Sequence, residues 1–293
     1  MPGNMEKVSS NGSFKPVIIL GCGRSGTTIF GAALSIHSKI TYLNERRDLW
    51  FAAYPEADIW TEHAKLRNGR MILTDADEES TKSVMLRRTF QQQMVAEKKT
   101  ILVEKLPINN FRVRLINAIF PDARYMHIYR NGLEVARSIA AMSDAGIWFG
   151  ANKYKWNELE KLARSNPGTA HLPDMCTSYY DQGLLEWRLS TEAVVSFLDM
   201  LPADRVYELS YTDLVSDPVK AITLALRFIG LDMQPTARRF CRDSIKRKTS
   251  RLDSHSLTDK ERQIGGGLLE QSMSETGGCG KAGYSRRLTL TQD

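Results

Sequence analysis

Eight residues near the start of the chain, Gly21 to Thr28, constrain its fold more than any other stretch. They read Gly-Cys-Gly-Arg-Ser-Gly-Thr-Thr and lie between two apolar runs, residues 17–20 and residues 29–34. A short buried strand, a glycine-rich loop and a helix form an arrangement that binds phosphate, because the loop N–H groups converge and the helix N-terminus carries partial positive charge. The stretch therefore predicts an anion site at the end of a strand, in preference to an ordinary glycine turn.

Two positions separate this loop from the loop of nucleoside triphosphatases. The spacing from Gly21 to Gly26 is the same, but Thr27 follows where those enzymes have lysine, and the cation lies inside the loop at Arg24. A later predicted strand, residues 124–130, ends in Arg130, where a magnesium-dependent enzyme would have a metal-binding aspartate. Both differences favour, as the ligand of the loop, an anion chemically related to phosphate over a magnesium-bound nucleoside triphosphate.

The order of the predicted elements indicates the fold class. Short apolar runs alternate with helical patterns along the 293 residues, which predicts a single α/β domain with a mostly parallel sheet and helices on both faces. The domain is expected over residues 15–285, between a disordered N-terminal tail (1–14) and a C-terminal tail (286–293). The aromatic residues of 143–178 predict an inserted lid or acceptor wall, and residues 48–80 are a second candidate for that wall. Residues 80–98 predict a helix with its core positions at Val84, Leu86, Phe90 and Met94.

Charge and cysteine content limit the partners and the compartment. A net charge of +6 suits a polyanionic ligand, a nucleic acid or an acidic surface. The four cysteines are scattered with no C-x-x-C pair, which predicts reduced thiols in a cytoplasmic protein and no zinc site. No apolar run reaches transmembrane length, so no membrane span is expected.

The loop resembles the phosphosulfate loop of sulfotransferases that use 3′-phosphoadenosine-5′-phosphosulfate, and further similarity extends over about residues 15–285. Arg130 and Ser138, eight residues apart, resemble the segment of that family that binds the 3′-phosphate. The resemblance implies a sulfotransferase fold related to the P-loop enzymes. It also implies transfer of a sulfonate group to a hydroxyl or amine of a small molecule, glycan or peptide acceptor, with no metal.

The resemblance also implies roles for individual residues. Glu45 matches the glutamate base of tyrosylprotein and some bacterial sulfotransferases, whereas its local sequence also suits an exposed acid paired with Arg46 or Arg47. His63 is a weaker candidate for the base. Arg24 and Lys105 would stabilise charge on the transferred group. Lys105 ends a predicted strand at the edge where parallel sheets bind ligands, although its local sequence suits an exposed strand-end lysine equally well. The residues implied in donor binding are Gly23, Arg24, Ser25, Gly26, Thr27, Thr28, Arg130, Ser138, Tyr211 and either Lys248 or Arg251.

Two other function classes compete with this interpretation. One is a P-loop kinase or nucleoside triphosphatase, which the residues at positions 27 and 130 disfavour. The other is a protein that binds nucleic acid or another polyanion through its basic surface. The basic run at residues 238–251 lacks interleaved aromatic residues, so we expect no nucleic-acid partner.

Overall fold

The computed structural model describes residues 14–146, 148–246 and 256–274. Within these ranges the strands form one sheet, in the order β2-β3-β1-β4-β5, and each neighbouring pair is parallel. The strands are β1 Val17–Leu20, β2 Ile40–Asn44, β3 Ile101–Lys105, β4 Arg124–Tyr129 and β5 Val206–Ser210. The predicted α/β domain with a mostly parallel sheet is therefore confirmed.

Helices cover both faces of this sheet, as the alternating sequence pattern predicts. They are α1 Thr27–Ser35, α2 Arg47–Ala53, α3 Ser80–Ala96, α4 Val113–Ile119, α5 Gly132–Asp144, α6 Tyr154–Arg164, α7 Leu172–Met175, α8 Tyr179–Leu198, α9 Tyr211–Ser216, α10 Pro218–Phe228, α11 Pro235–Ser244 and α12 Asp259–Ser274. A 3₁₀ turn, Pro107–Phe111, joins the end of β3 to α4.

Alternate side chains of β1 divide the core into two layers. Ile18 and Leu20 belong to the apolar cluster that includes residues of α3, α4, α5 and α8. Val17 and Ile19 belong to a second cluster, which includes residues of α1 and α10. Successive side chains of a strand point to opposite faces, and a strand covered on both faces reads as a continuous apolar run. The Val-Ile-Ile-Leu sequence of β1 is therefore explained by its central place in the sheet.

Helices α5 and α8 begin at well-defined caps. Asn131 accepts hydrogen bonds from the backbone N–H groups of Leu133 and Glu134, which fixes the start of α5 directly after β4. Ser178 and Asp181 form a reciprocal capping box at the start of α8. Without these caps the first N–H groups of each helix would lack protein partners, so the caps define where the helices start relative to the sheet edge.

The predicted core face of α3 is correct at two positions and wrong at one. Leu86 and Phe90 are buried, and Met94 packs partly against the same cluster. Val84 is exposed, because it lies two residues before Leu86 and the helical repeat of 3.6 residues places it on the opposite side. Leu86 and Phe90, spaced four residues apart, define the buried face.

The predicted domain limits and tails remain predictions. Residues 1–13 and 286–293 lie outside the described ranges. Phe14, the last residue of the predicted N-terminal tail, packs edge-to-face against Phe120 with ring centroids 5.9 Å apart. None of the helices in the described ranges has the length and apolarity that a membrane crossing requires.

Candidate active site

The predicted site residues gather where the carboxyl ends of the strands meet. The loop of residues 21–28 follows β1, and Glu45 directly follows β2. Lys105 is the last residue of β3, Arg130 follows β4, and Tyr211 follows β5. Open parallel sheets bind ligands at this edge, because successive loops converge there.

The loop adopts backbone conformations that only some residues tolerate. Gly26 has a φ of 96° and Arg24 a φ of 75°, both in the left-handed region. At the loop's start, the backbone N–H of Gly21 donates to Oδ1 of Asn110 over 3.0 Å. Gly26 precedes α1 and has no side chain to cap it, which leaves the first N–H groups of that helix without a side-chain acceptor from the cap position. This is the geometry of an anion-binding helix start.

Two aromatic rings lie close against glycines of the loop. A Cβ atom at Gly23 would lie 2.5 Å from Cη2 of Trp148, and one at Gly26 would lie 2.5 Å from Cδ2 of Tyr211. The ring of Tyr211 also faces the Arg130 guanidinium, at 4.2 Å from Cζ to the ring centroid. The loop glycines are therefore needed for close approach of the aromatic rings as well as for backbone conformation.

One group of predicted donor residues forms a connected set beside the loop. Arg24 Nε donates to Ser138 Oγ over 2.9 Å, and an Arg130 terminal nitrogen donates to the Arg24 carbonyl over 3.2 Å. Nε of Arg130 donates over 2.8 Å to Glu134, which lies in the first turn of α5. The structure thus brings Arg130 and Ser138 into contact with the loop.

A second group lies on the other side of the sheet centre. The Lys105 ammonium lies 2.7 Å from Glu45 Oε1 and donates to Thr28 Oγ1 over 2.9 Å. Arg47 donates to the other Glu45 oxygen over 2.9 Å. The Lys105 side chain is fully buried, whereas the Glu45 side chain is one-third exposed. The carboxylate can therefore be reached from solvent, whereas the Lys105 ammonium is enclosed by its protein partners.

Burial and charge act in opposite directions on Glu45. Burial raises its pKa, but the charge and hydrogen bond of Lys105 and the charge of Arg47 outweigh that effect and hold the pKa below its ordinary value of 4.5. Burial also lowers the pKa of Lys105, and the charge of Glu45 opposes this change. Glu45 is therefore ionised at neutral pH, as a proton acceptor must be.

A second carboxyl group lies beneath the site and was not anticipated from sequence. Glu104 is buried next to Lys105, and burial raises its pKa to about 7 although Trp50 and Asn109 donate hydrogen bonds to it. The sequence signal was the charged pair Glu104-Lys105 at the end of an apolar strand. It did not reveal which of the two residues faces the core.

The two segments predicted to form an acceptor wall pack against each other. The backbone N–H of Ala151 donates to the carbonyl of Trp60 over 2.9 Å, and Tyr154 donates to the Gly69 carbonyl over 2.9 Å. The Arg47 guanidinium lies 4.3 Å from the Trp60 ring, which connects this double wall to Glu45. Its role in acceptor binding remains a prediction.

Three further candidates came from the sequence. Lys248 and Arg251 are outside the described ranges. The His63 side chain is more than half exposed, with Nε2 3.7 Å from Glu62. Across the ranges that the structure covers, no cluster of three or more His, Cys, Asp or Glu side chains could hold a metal ion.

Comparison with known proteins decides the family. A family model described as the sulfotransferase family matches residues 16–235, about three quarters of the chain. The chain belongs to the sulfotransferase family. It is a transferase enzyme, and this assignment favours the sulfotransferase prediction over the kinase and polyanion-binding alternatives.

Individual relatives of this sulfotransferase are distant. The omega-hydroxy-beta-dihydromenaquinone-9 sulfotransferase of Mycobacterium tuberculosis is 26% identical over 179 residues, which cover 60% of this chain and 40% of that protein. The match thus spans less than half the length of the curated relative. The sulfotransferase domain of the curacin biosynthetic pathway has a TM-score of 0.50 at 13% identity, covering 87% of this chain and 97% of that one. The corresponding domain of the Synechococcus PCC 7002 olefin synthase gives 0.50 at 17% identity, with 86% and 94% covered. Both of these solved domains share the fold of this chain.

Proposed function

We propose that this sulfotransferase moves a sulfonate group from 3′-phosphoadenosine-5′-phosphosulfate to an acceptor hydroxyl and releases 3′-phosphoadenosine 5′-phosphate. The observation that supports this most is the arrangement on the two sides of one glycine loop. On one side Lys105 joins Thr28 to Glu45, and on the other Arg24 touches both Ser138 and Arg130. The first set suits group transfer, and the second suits recognition of a phosphate.

The donor would be held by charge-assisted hydrogen bonds. The loop N–H groups, Arg24 and Lys105 would stabilise the charge that grows on the phosphate of the leaving nucleotide. The planar guanidinium of Arg130 and the hydroxyl of Ser138 would bind the 3′-phosphate. Tyr211, already stacked with Arg130, would contact the adenine nucleotide.

Glu45 would act as the general base. Its carboxylate would take the proton of the acceptor hydroxyl while the acceptor oxygen bonds to sulfur and the bond from sulfur to the phosphate oxygen breaks. Lys105 would exchange its contact with Glu45 for an oxygen of the transferred group. That exchange would remove the largest of the attractions that lower the pKa of Glu45, so the base would become stronger when the donor is in place.

The acceptor is proposed to be a hydroxyl group on a small molecule. The name of the mycobacterial relative specifies a hydroxylated dihydromenaquinone, and the double wall beside Glu45 offers the Trp60 ring as apolar surface. We propose a cytoplasmic reaction, because Cys22, Cys176 and Cys241 are free thiols in the described chain.

Labelled donor and an acceptor panel would test this function. The full chain is incubated with sulfur-labelled 3′-phosphoadenosine-5′-phosphosulfate and a hydroxylated prenyl quinol, a simple phenol, a tyrosine peptide or a sulfatable glycan. We expect mass spectrometry to find a sulfonate adduct on a small-molecule hydroxyl. An adduct only on the peptide or glycan would refute the acceptor class. Phosphorylation by ATP without any sulfonate transfer would refute the donor.

A further inference from the structure

A buried ion pair lies behind the loop of residues 21–28, called the phosphate loop below. The proposed chemistry does not use this pair. The Lys155 ammonium of α6 lies 2.6 Å from Glu186 Oε1 of α8, with side-chain exposures of 5% and 6%. Removing two charges from water is costly, and burial of such a pair by itself is weak evidence for stability. The pair therefore calls for a role beyond packing.

The pair reaches the loop through one tryptophan. Nε1 of Trp148 donates to the second Glu186 oxygen over 2.7 Å, and the Lys155 ammonium lies 4.2 Å from the centroid of the same indole. The far edge of that ring rests on Gly23, where a Cβ would lie only 2.5 Å from it. Trp148 is thus held between a cation and a loop glycine, and its N–H fixes how the ring lies.

The opposite end of the loop has a matching arrangement. Tyr211 rests on Gly26 and faces the Arg130 guanidinium at 4.2 Å, the same separation as that between Lys155 and Trp148. In sequence, Arg24 lies between Gly23 and Gly26 and is a non-glycine residue in the left-handed region. Such conformations persist only where the surroundings hold them in place.

The chain between Trp148 and Lys155 is itself constrained. Gly150, Asn152 and Lys153 all have positive φ, and the Lys155 backbone N–H donates to the Phe149 carbonyl over 3.1 Å. Two of these residues are not glycine, so the turn is unfavourable unless it is anchored. The buried ammonium of Lys155 provides an anchor where this turn ends.

We propose that Trp148, Lys155 and Glu186 form a positioning clamp that keeps the phosphate loop in its anion-binding conformation. The proposal rests on the proposed function in one respect, namely that this loop binds the anionic end of the donor. These residues act through Gly23 and touch no reacting atom. If loss of the clamp left the loop competent about a tenth of the time, apparent anion affinity would fall about tenfold.

The decisive variant is Lys155→Met together with Glu186→Met. It removes both charges and the acceptor of the Trp148 N–H while keeping apolar volume, a replacement that buried ion pairs often tolerate. Trp148→Ala is the second variant, because it removes the ring and leaves both charges in place. Glu192→Gln is the matched control, since it breaks the 2.7 Å pair with Arg188 on the same helix α8.

The labelling rate of the Cys22 thiol tests the clamp in the absence of ligand. The residue is 4% exposed. Burial raises the pKa of its thiol, the charge of Glu186 adds to this effect, and Lys155 and Ser190 oppose it. Iodoacetamide labelling, read by peptide mass spectrometry, should be at least about tenfold faster at Cys22 in both clamp variants than in the control, because opening exposes the thiol. Faster labelling in Trp148→Ala excludes a purely electrostatic effect on the thiol, since that variant keeps the charges.

Calorimetric titration with 3′-phosphoadenosine 5′-phosphate gives the second readout. We expect about tenfold weaker binding in both clamp variants, with wild-type binding in the control and little change in the thermal midpoint of the ligand-free Met/Met variant. Wild-type labelling and wild-type affinity in both variants would overturn the clamp. If the Met/Met variant does not fold, Trp148→Ala decides by the same readouts. If even the wild type binds no nucleotide, the donor proposal fails, and Cys22 labelling still decides the clamp.

Discussion

Replacement of Glu45 by glutamine separates its chemical role from its structural one. Glutamine keeps the size of the side chain and an oxygen that can accept from Lys105, but it loses the negative charge and the basicity. The Lys105 ammonium, fully buried, would then keep Thr28 as its neighbour and lose its ion-pair partner. Both turnover and stability should therefore fall, for different reasons.

The size of each effect follows from the geometry. A positioned general base contributes about 10²–10⁴-fold, so Glu45→Gln should lose at least about a hundredfold in turnover, roughly 3 kcal/mol of barrier. Exposed ion pairs contribute about 0–1 kcal/mol and breaking a buried one costs about 3–5 kcal/mol. With Lys105 fully buried and Glu45 one-third exposed, we expect a loss of roughly 2 kcal/mol in the free energy of unfolding.

Single-turnover sulfonate transfer and urea denaturation measure the two effects. Asp48→Asn is the control, because it removes a carboxylate from an exposed 2.7 Å pair with Arg46 in the same segment, and it should leave both quantities nearly unchanged. Folding lowers the pKa of Glu45, so the ion pair of Glu45 with Lys105 stabilises the protein above pH 4.5. This contribution disappears as the pH falls through the pKa that Glu45 has in the folded protein. The stability gap between wild type and Glu45→Gln should therefore close in acid. Turnover within a few-fold of wild type would refute the base assignment.

Three further predictions test the donor site. 3′-Phosphoadenosine 5′-phosphate should raise the thermal midpoint more at each higher concentration, and far more than ATP with magnesium does; an equal shift with ATP would contradict the donor assignment. Arg130→Ala should weaken that nucleotide about ten- to a hundredfold in calorimetric titrations and adenosine 5′-phosphate hardly at all, with a smaller loss for Ser138→Ala. Equal weakening of both nucleotides would assign Arg130 to the fold. Gly26→Ala should lower the free energy of unfolding in urea by at least about 1–3 kcal/mol, because Gly26 has a φ of 96° and the added Cβ would meet Tyr211. Wild-type stability in this variant would show that the loop can adjust.

The sheet edge was predictable because strand ends can be read from apolar runs. Lys105 and Arg130 each follow such a run, and in a parallel sheet all carboxyl ends meet at one edge. The sequence could therefore predict that these residues share a site. It could not predict that β2 lies next to β3, and it is this order that brings Glu45 within 2.7 Å of Lys105.

Contacts between distant side chains were beyond sequence reasoning. Trp148 was visible only as part of an aromatic stretch, and nothing in its neighbourhood indicates that Gly23 lies beneath its ring. Asn110 lies in a short turn, and its bond to the Gly21 N–H depends on how that turn packs beside β1. A periodic pattern shows which face of an element is buried, but it does not show which partner covers that face.

The central place of β1 has a consequence for synthesis of the chain. β1 pairs with β3 and β4, which are translated much later, so the strand before the loop of residues 21–28 has neither neighbour while the first hundred residues emerge. Nascent chains that stop before Arg124 should be unable to support the loop, however much nucleotide is present. Ribosome-bound chains of increasing length should become protease-resistant only after β4 has left the exit tunnel. Protection of shorter chains would mean that the loop can form before its sheet.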